Sequence, residues 1–154
     1  MKVIFLDIDG VMNSKIFDRE KGDIFMIMDP TRLELLRELV EKTNAEIVLS
    51  SSWRSGWEKE ECDCTSDVGI KLWNEFAEAD IYVYDKTPEG YYSRAREIKA
   101  WLNENEVESF VILDDIAYGW EELDDNVVRT CYSIGRGLEK RHVDEAIMIL
   151  NGEA

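Results

Sequence analysis

Residues 2–10 have the sequence KVIFLDIDG. An almost purely apolar run of this kind is typical of a central parallel strand, which is buried on both faces of its sheet. Asp7, Asp9 and Gly10 follow the run directly. Open parallel sheets bind ligands beyond the carboxyl ends of their strands. The segment therefore predicts both a buried first strand and an acidic site at its end.

Short β-rich runs alternate with helical patterns along the rest of the chain. The predicted strands cover residues 2–7, 45–50, 81–84, 109–113 and 126–130. This alternation favours a parallel sheet covered by helices. We expect an α/β, Rossmann-like fold, in which residues 1–154 form a single domain with a five-stranded parallel sheet and helices on both faces.

Four helices are predicted from apolar periodicity and capping residues. They cover about 30–42, 67–78, a stretch beginning at Ser93, and about 140–150. Asp29 is suited to cap the first of these helices and Pro30 to occupy its first turn. Asn44 can end it in a left-handed conformation.

Two segments fall outside these elements. Residues 11–28 contain a turn-like stretch at 20–23 between apolar pairs, which predicts a short hairpin flap. Residues 51–66 are polar and contain Trp53 and Trp57, as expected of an active-site loop. Neither segment is long enough for a large cap domain, so the site should be open.

Composition limits the class of protein. The chain has 154 residues, is 45% hydrophobic, and has 18 basic against 34 acidic residues, a net charge of −16. This charge disfavours an extended nucleic-acid track. An apolar run near ~20 residues would be needed to span a bilayer, and the chain has none. With no signal-peptide pattern and three cysteines, we expect a cytoplasmic protein with no membrane partner.

The polar residues cluster at the predicted strand ends. The first strand ends at Asp7 and Asp9, the second at Ser50 and Ser51, and the fourth at Asp114 and Asp115. If these strands are neighbours, four carboxylates meet and repel one another unless a cation offsets them. Oxygen ligands of this kind suit Mg²⁺. Serine hydroxyls and Arg94, at the start of the third helix, can bind phosphoryl oxygens.

Four motifs resemble those of the haloacid dehalogenase superfamily, in the same order. The first is Phe5 to Val11, the second Val48 to Ser50, the third Arg94, and the fourth Leu113 to Asp115. Residues 51–54, reading SSWR, and Glu97-Ile98 with Trp101-Leu102 further resemble the haloacid-dehalogenase-like domains of RNA repair proteins.

The resemblance implies a magnesium-dependent phosphatase. In it Asp7 is the nucleophile and Asp9 the general acid and base, while Ser50 and Arg94 hold the transferring phosphoryl group. Mg²⁺ is held by Asp7, the backbone carbonyl of Asp9, Asp114 and Asp115. The predicted substrate-binding residues are Gly10, Ser51 and Arg54. The expected substrate is a phosphorylated small molecule or nucleic-acid end, with a nucleotide or polynucleotide terminal phosphate favoured.

Several assignments stay open on the sequence alone. The third motif is usually a lysine, so Lys86 and Lys99 compete with Arg94, and Ser51 competes with Ser50. Arg54 either clamps phosphate or lies solvated on its loop. Trp53 and Trp57 either stack a base or pack the loop.

The function also has alternatives. These are a non-catalytic phosphate-binding or interaction module of the same fold, a sugar-phosphate phosphatase, and a phosphotransferase. The natural substrate and the oligomeric state stay open.

Overall fold

The computed structural model describes residues 1–153. Its five strands form one sheet with the order β3-β2-β1-β4-β5, and every pair is parallel. The strands are β1 (Lys2–Leu6), β2 (Glu46–Leu49), β3 (Val83–Lys86), β4 (Ser109–Asp114) and β5 (Val127–Arg129). The predicted parallel sheet is confirmed, with β1 at its centre.

The helices are α1 (Lys15–Glu20), α2 (Pro30–Thr43), α3 (Asp67–Glu78), α4 (Arg94–Asn103) and α5 (Lys140–Leu150). Asp29 caps α2 by accepting the Thr31 N–H, and Asn44 ends it with a φ of 58°, as predicted. Short 3₁₀ turns cover Ser52–Arg54, Glu61–Asp63 and Glu121–Asn126. Between residues 1 and 153, no helix combines the length and apolar character needed to cross a membrane.

Helices cover both faces of the sheet. Ile4 and Leu6 of β1 belong to the core that includes apolar residues of α2, α3 and α5. Val3 and Phe5, which alternate with them, belong to a second core with α4. There the Phe5 and Trp101 rings meet edge to face at 5.5 Å between centroids. Because helices cover both faces of β1, the carboxyl end of this strand lies between two helical layers.

The predicted hairpin flap is wrong. Residues 15–20 form α1, which Ser14 caps by accepting the Phe17 N–H. The turn-like residues at 20–23 end this helix. A helix of six residues is too short to be stable by propensity alone. Tertiary contacts hold it: the Tyr132 hydroxyl donates to Asp18, and the Lys15 N–H donates to the Tyr132 carbonyl.

The third strand begins two residues later than predicted. The Ile81 N–H donates to the Phe76 carbonyl and Asp80 has a φ of 59°, so this stretch belongs to the end of α3. The shift places Asp85 and Lys86 within β3.

Candidate active site

Three strand ends meet at the carboxyl edge of the sheet. The Asp7 N–H, just after β1, donates to the Leu113 carbonyl of β4 at 3.1 Å. The Ser50 N–H, just after β2, donates to the Leu6 carbonyl at 3.0 Å. Parallel pairing with aligned registers therefore brings the first, second and fourth motifs together.

Asp7, Asp114 and Asp115 form a compact carboxylate cluster. Each offers one oxygen, and these oxygens lie within 4.8 Å of one another. Asp7 and Asp114 are buried. Burial and then the Asp114 charge raise the pKa of Asp7 to about 7, although Arg94 opposes the shift. The same two causes raise the pKa of Asp115. A self-repelling set of oxygen donors, of which two are buried and Asp115 is half-buried, can hold a metal ion.

Arg94 joins two of these carboxylates. It is the first residue of α4, directly after the capping residue Ser93. One of its terminal nitrogens lies 2.8 Å from Asp114 Oδ2 and 3.2 Å from Asp7 Oδ2.

The two competing lysines lie in other surroundings. Lys86 binds the Trp57 carbonyl at 2.7 Å and Glu58 at 2.9 Å. Lys99 pairs with Glu121 and Glu122. Of the three cations considered, Arg94 is the one that contacts the acidic cluster.

Ser50 and Ser51 have different environments. The Ser51 hydroxyl accepts the Trp53 N–H and so caps the 3₁₀ turn. The Ser50 hydroxyl is buried and has no hydrogen-bond partner within residues 1–153. A buried polar group without a partner costs about 1–3 kcal/mol. Of the two serines, Ser50 is thus the one whose hydroxyl lacks a partner.

Asp9 is exposed, and both of its carboxylate oxygens accept hydrogen bonds. Asn13 Nδ2 donates to Oδ1 at 3.0 Å, and Trp53 Nε1 donates to Oδ2 at 2.7 Å. Asn13 also donates to the Ile27 carbonyl and accepts the Gly10 N–H.

Sequence reasoning gave neither of these donors a role at Asp9. An asparagine three residues after Gly10 is a usable signal, because short amides often bond to nearby backbone. Trp53 lies 44 positions from Asp9, and no local pattern indicates that contact.

Gly10 permits the tight turn after β1. It has a φ of 85°, and a Cβ there would overlap the Asp115 side chain. The Thr130 hydroxyl donates to the Gly10 carbonyl at 2.6 Å. Gly137, with a φ of 74°, packs against the Val11 and Asn13 carbonyls. The turn is held from several sides and has no room for a larger residue.

Arg54 is buried and is not a solvated loop residue. It is 3% exposed. Its guanidinium donates to the carbonyls of Thr87, Ser50, Ser51 and Pro88 and pairs with Glu97 at 3.2 Å. Each of the three guanidinium nitrogens thus donates to at least one backbone carbonyl. The side chain therefore ties three segments of the protein together, and its predicted role in substrate binding stays a prediction.

The two loop tryptophans also differ. Trp57 is 2% exposed and packs in the main core, which confirms the packing interpretation for this residue. Trp53 is partly buried against the same core while its N–H reaches Asp9. Beside Arg94 an open cleft of about 420 Å³ is lined in part by Ser52, Arg54, Tyr92 and Ile116.

A capless parallel α/β domain with acidic residues after its first and fourth strands has the architecture of the haloacid dehalogenase (HAD) superfamily. A family model described as the HAD domain in Swiss Army Knife RNA repair proteins matches residues 3–143, and the chain belongs to this family. This confirms the resemblance seen in the motifs. Searches of curated proteins and of solved structures gave no match.

Proposed function

We propose that the protein is a magnesium-dependent phosphomonoester hydrolase that acts through an aspartyl-phosphate on Asp7. The observation that carries the proposal is the position of Arg94, whose guanidinium contacts both Asp7 and Asp114. Membership of a HAD family supports a phosphatase-type reaction. The unpartnered hydroxyl of Ser50 on the neighbouring strand end supports a phosphoryl-binding role for that residue.

In the first step, an Asp7 carboxylate oxygen attacks phosphorus. The bond from phosphorus to the leaving oxygen breaks, and Asp9 gives its proton to that oxygen. Arg94 and Ser50 bind the phosphoryl oxygens and stabilise their charge. The product alcohol leaves, and the phosphoryl group stays on Asp7.

In the second step, a water oxygen attacks the same phosphorus. Asp9 takes a proton from the water, and the bond between phosphorus and Asp7 breaks. Inorganic phosphate leaves, and both aspartates return to their initial states. Splitting one difficult displacement into two steps is the advantage of a covalent intermediate.

The carboxylate cluster fits a magnesium ion. The residues that would hold it are Asp7, Asp114 and Asp115, with the backbone carbonyl of Asp9 as the family resemblance implies. The raised pKa of Asp7 supports this assignment, because burial and then the Asp114 charge disfavour the charged carboxylate, and a bound cation offsets both. When bound, the ion offsets the charge of the nucleophile and the substrate.

The favoured substrate is a nucleotide or a polynucleotide terminal phosphate. The description of the family refers to RNA repair proteins, and the open cleft beside Arg94 is large enough for a nucleoside-sized group. The net charge of −16 favours recognition of the end over recognition of a long strand.

The test is a phosphate-release screen with Mg²⁺ over nucleotides, sugar phosphates and oligonucleotides phosphorylated at either end. We expect activity on nucleotide or oligonucleotide ends and none from Asp7→Asn, whose amide is nearly isosteric but a poor nucleophile. Turnover by a folded Asp7→Asn variant would remove Asp7 from its role. Preference for sugar phosphates would change the substrate class. Phosphate binding without any turnover would favour a non-catalytic module.

A further inference from the structure

We propose that Trp53 is a positioning residue for Asp9, and that its indole N–H fixes the carboxylate for proton transfer. The proposal rests on the proposed function, since it concerns the general acid and base of that reaction. The sequence left Trp53 with two interpretations, stacking on a base or packing of its loop, and the proposal gives this residue a third role, at Asp9.

The hydrogen bond between the two side chains is short and joins two different loops. Trp53 Nε1 lies 2.7 Å from Asp9 Oδ2. Trp53 belongs to the turn after β2, whereas Asp9 follows β1. The Trp53 ring is partly buried against the main core, which restricts the positions that its N–H can take.

Asp9 needs such a donor because its side chain is exposed. An exposed aspartate samples several rotamers, and a carboxylate must be held in one geometry to exchange a proton efficiently. Asn13 binds one oxygen and Trp53 the other. A carboxylate oxygen has two lone pairs, so each oxygen keeps one free for the proton that it transfers.

Of the two donors, Trp53 is the better one to test. Asn13 also bonds to Gly10 and Ile27, so its removal disturbs the turn itself. Trp53→Phe removes the indole N–H and keeps an aromatic ring. Trp73 provides a matched control, since it also lies partly buried against the core and donates its indole N–H, but to the Lys59 carbonyl.

The first experiment compares steady-state kinetics of Trp53→Phe and Trp73→Phe on the best substrate of the phosphate-release screen. We expect kcat of Trp53→Phe to fall roughly 10- to 100-fold, the order of loss for a misplaced catalytic group, with KM within about twofold of wild type. Trp73→Phe should match wild type. Equal kcat values for the two variants would overturn the proposal. Trp53→Met, which also lacks the N–H, replaces Trp53→Phe if the latter fails to fold.

A second readout separates positioning from a general loss of structure. The loss in kcat/KM should be smaller for an aryl phosphate, whose good leaving group needs little protonation, than for an alkyl or ribose phosphate. A loss of the same size for both substrates would indicate a merely structural role and would overturn the proposal.

A double-mutant cycle tests whether Trp53 acts on the reaction through Asp9. We expect Trp53→Phe to have no further effect in an Asp9→Asn background, because the group that it positions is already absent. A further loss of the same size as in wild type would overturn the proposal while leaving the function of Asp9 intact. If Asp9→Asn alone kept the wild-type rate, the role of Asp9 in the proposed reaction would fail, and the proposal for Trp53 would fail with it.

Discussion

A terminal nitrogen of Arg94 lies 3.2 Å from Asp7 Oδ2, yet this cation does not offset the burial of the carboxylate. Burial and the nearby Asp114 raise the pKa of Asp7 to about 7. The same arginine also pairs with Asp114 at 2.8 Å, so one positive charge is shared between two acids. Because the pKa of Asp7 lies near neutral pH, the charge of the metal-free site should change with pH and with added cations.

The free energy of unfolding of the metal-free protein should depend on pH through the raised pKa of Asp7. Its pKa is about 7 when folded and about 3.9 when unfolded, so the folded state retains the proton more strongly. This contribution is fully present below about pH 4 and is lost as the pH rises through about 7. Wild type should therefore lose stability relative to Asp7→Asn across that window. The measurement is urea unfolding of both proteins with a chelator at several pH values.

Burial and the Asp114 charge also raise the pKa of Asp115, which contributes in both proteins, so the difference between the two proteins is the relevant quantity. The contribution of Glu38, whose pKa is lowered from 4.5 to about 2 by hydrogen bonds from Lys140 and Lys42, changes below this window in both proteins. A difference that stays constant or grows with pH would contradict the prediction.

Magnesium should stabilise the protein at neutral pH. Binding to the folded state alone adds about 2.7 kcal/mol at 100 times the Kd, and Asp7, Asp114 and Asp115 supply the oxygen ligands. Thermal unfolding with increasing Mg²⁺ measures the effect. Asp115→Asn should reduce the shift, whereas Asp124→Asn, at an exposed acid in the turn Glu121–Asn126, should retain it. Equal shifts for the two variants would indicate general screening of the negative surface.

Breaking the Arg54–Glu97 pair should destabilise the fold. The two side chains are 4% and 16% exposed, and removal of one partner from a buried pair costs about 3–5 kcal/mol. We expect a loss of this size for Arg54→Met in urea unfolding. The control is Arg37→Met, which breaks the exposed Arg37–Glu41 pair and should change stability by no more than about 0.5 kcal/mol. Similar losses in both variants would show that Arg54 does not tie its three segments together.

Activity should depend weakly on the length of a nucleic-acid substrate. Arg54 pairs with Glu97 at 3.2 Å, and Arg136 pairs with Glu20 at 2.9 Å. We expect catalytic efficiency on terminally phosphorylated RNA to change little beyond about two or three nucleotides, with a salt slope equivalent to about one to three phosphate contacts. A mononucleotide, a trimer and a ten-mer, each at several salt concentrations, provide the comparison. A steep rise with length would reveal a basic track on the surface.

The sequence by itself determined that the chain forms a parallel sheet and that acidic residues lie at the ends of its first and fourth strands. Buried parallel strands have a strong apolar pattern, and β1 carries it without interruption. Residues that follow neighbouring parallel strands lie at one edge of the sheet, so the strand pattern predicts that Asp7 lies close to Asp114 if β1 and β4 are neighbours, and the strand order shows that they are. Capping chemistry likewise predicted the ends of α2, because those hydrogen bonds join residues close in sequence.

Only the tertiary structure decided which partners the polar side chains take. The sequence left Ser50 and Ser51 open as alternatives, and folding gave one a capping bond and left the other without a partner. Arg54 is held mainly by backbone carbonyls, which every residue has and no pattern distinguishes. The contact of Trp53 with Asp9, like the contacts that hold α1 in place of a hairpin, depends on how loops distant in sequence pack together. Such long-range contacts follow from packing of the whole chain, whereas strands and caps follow from local periodicity and local hydrogen bonds.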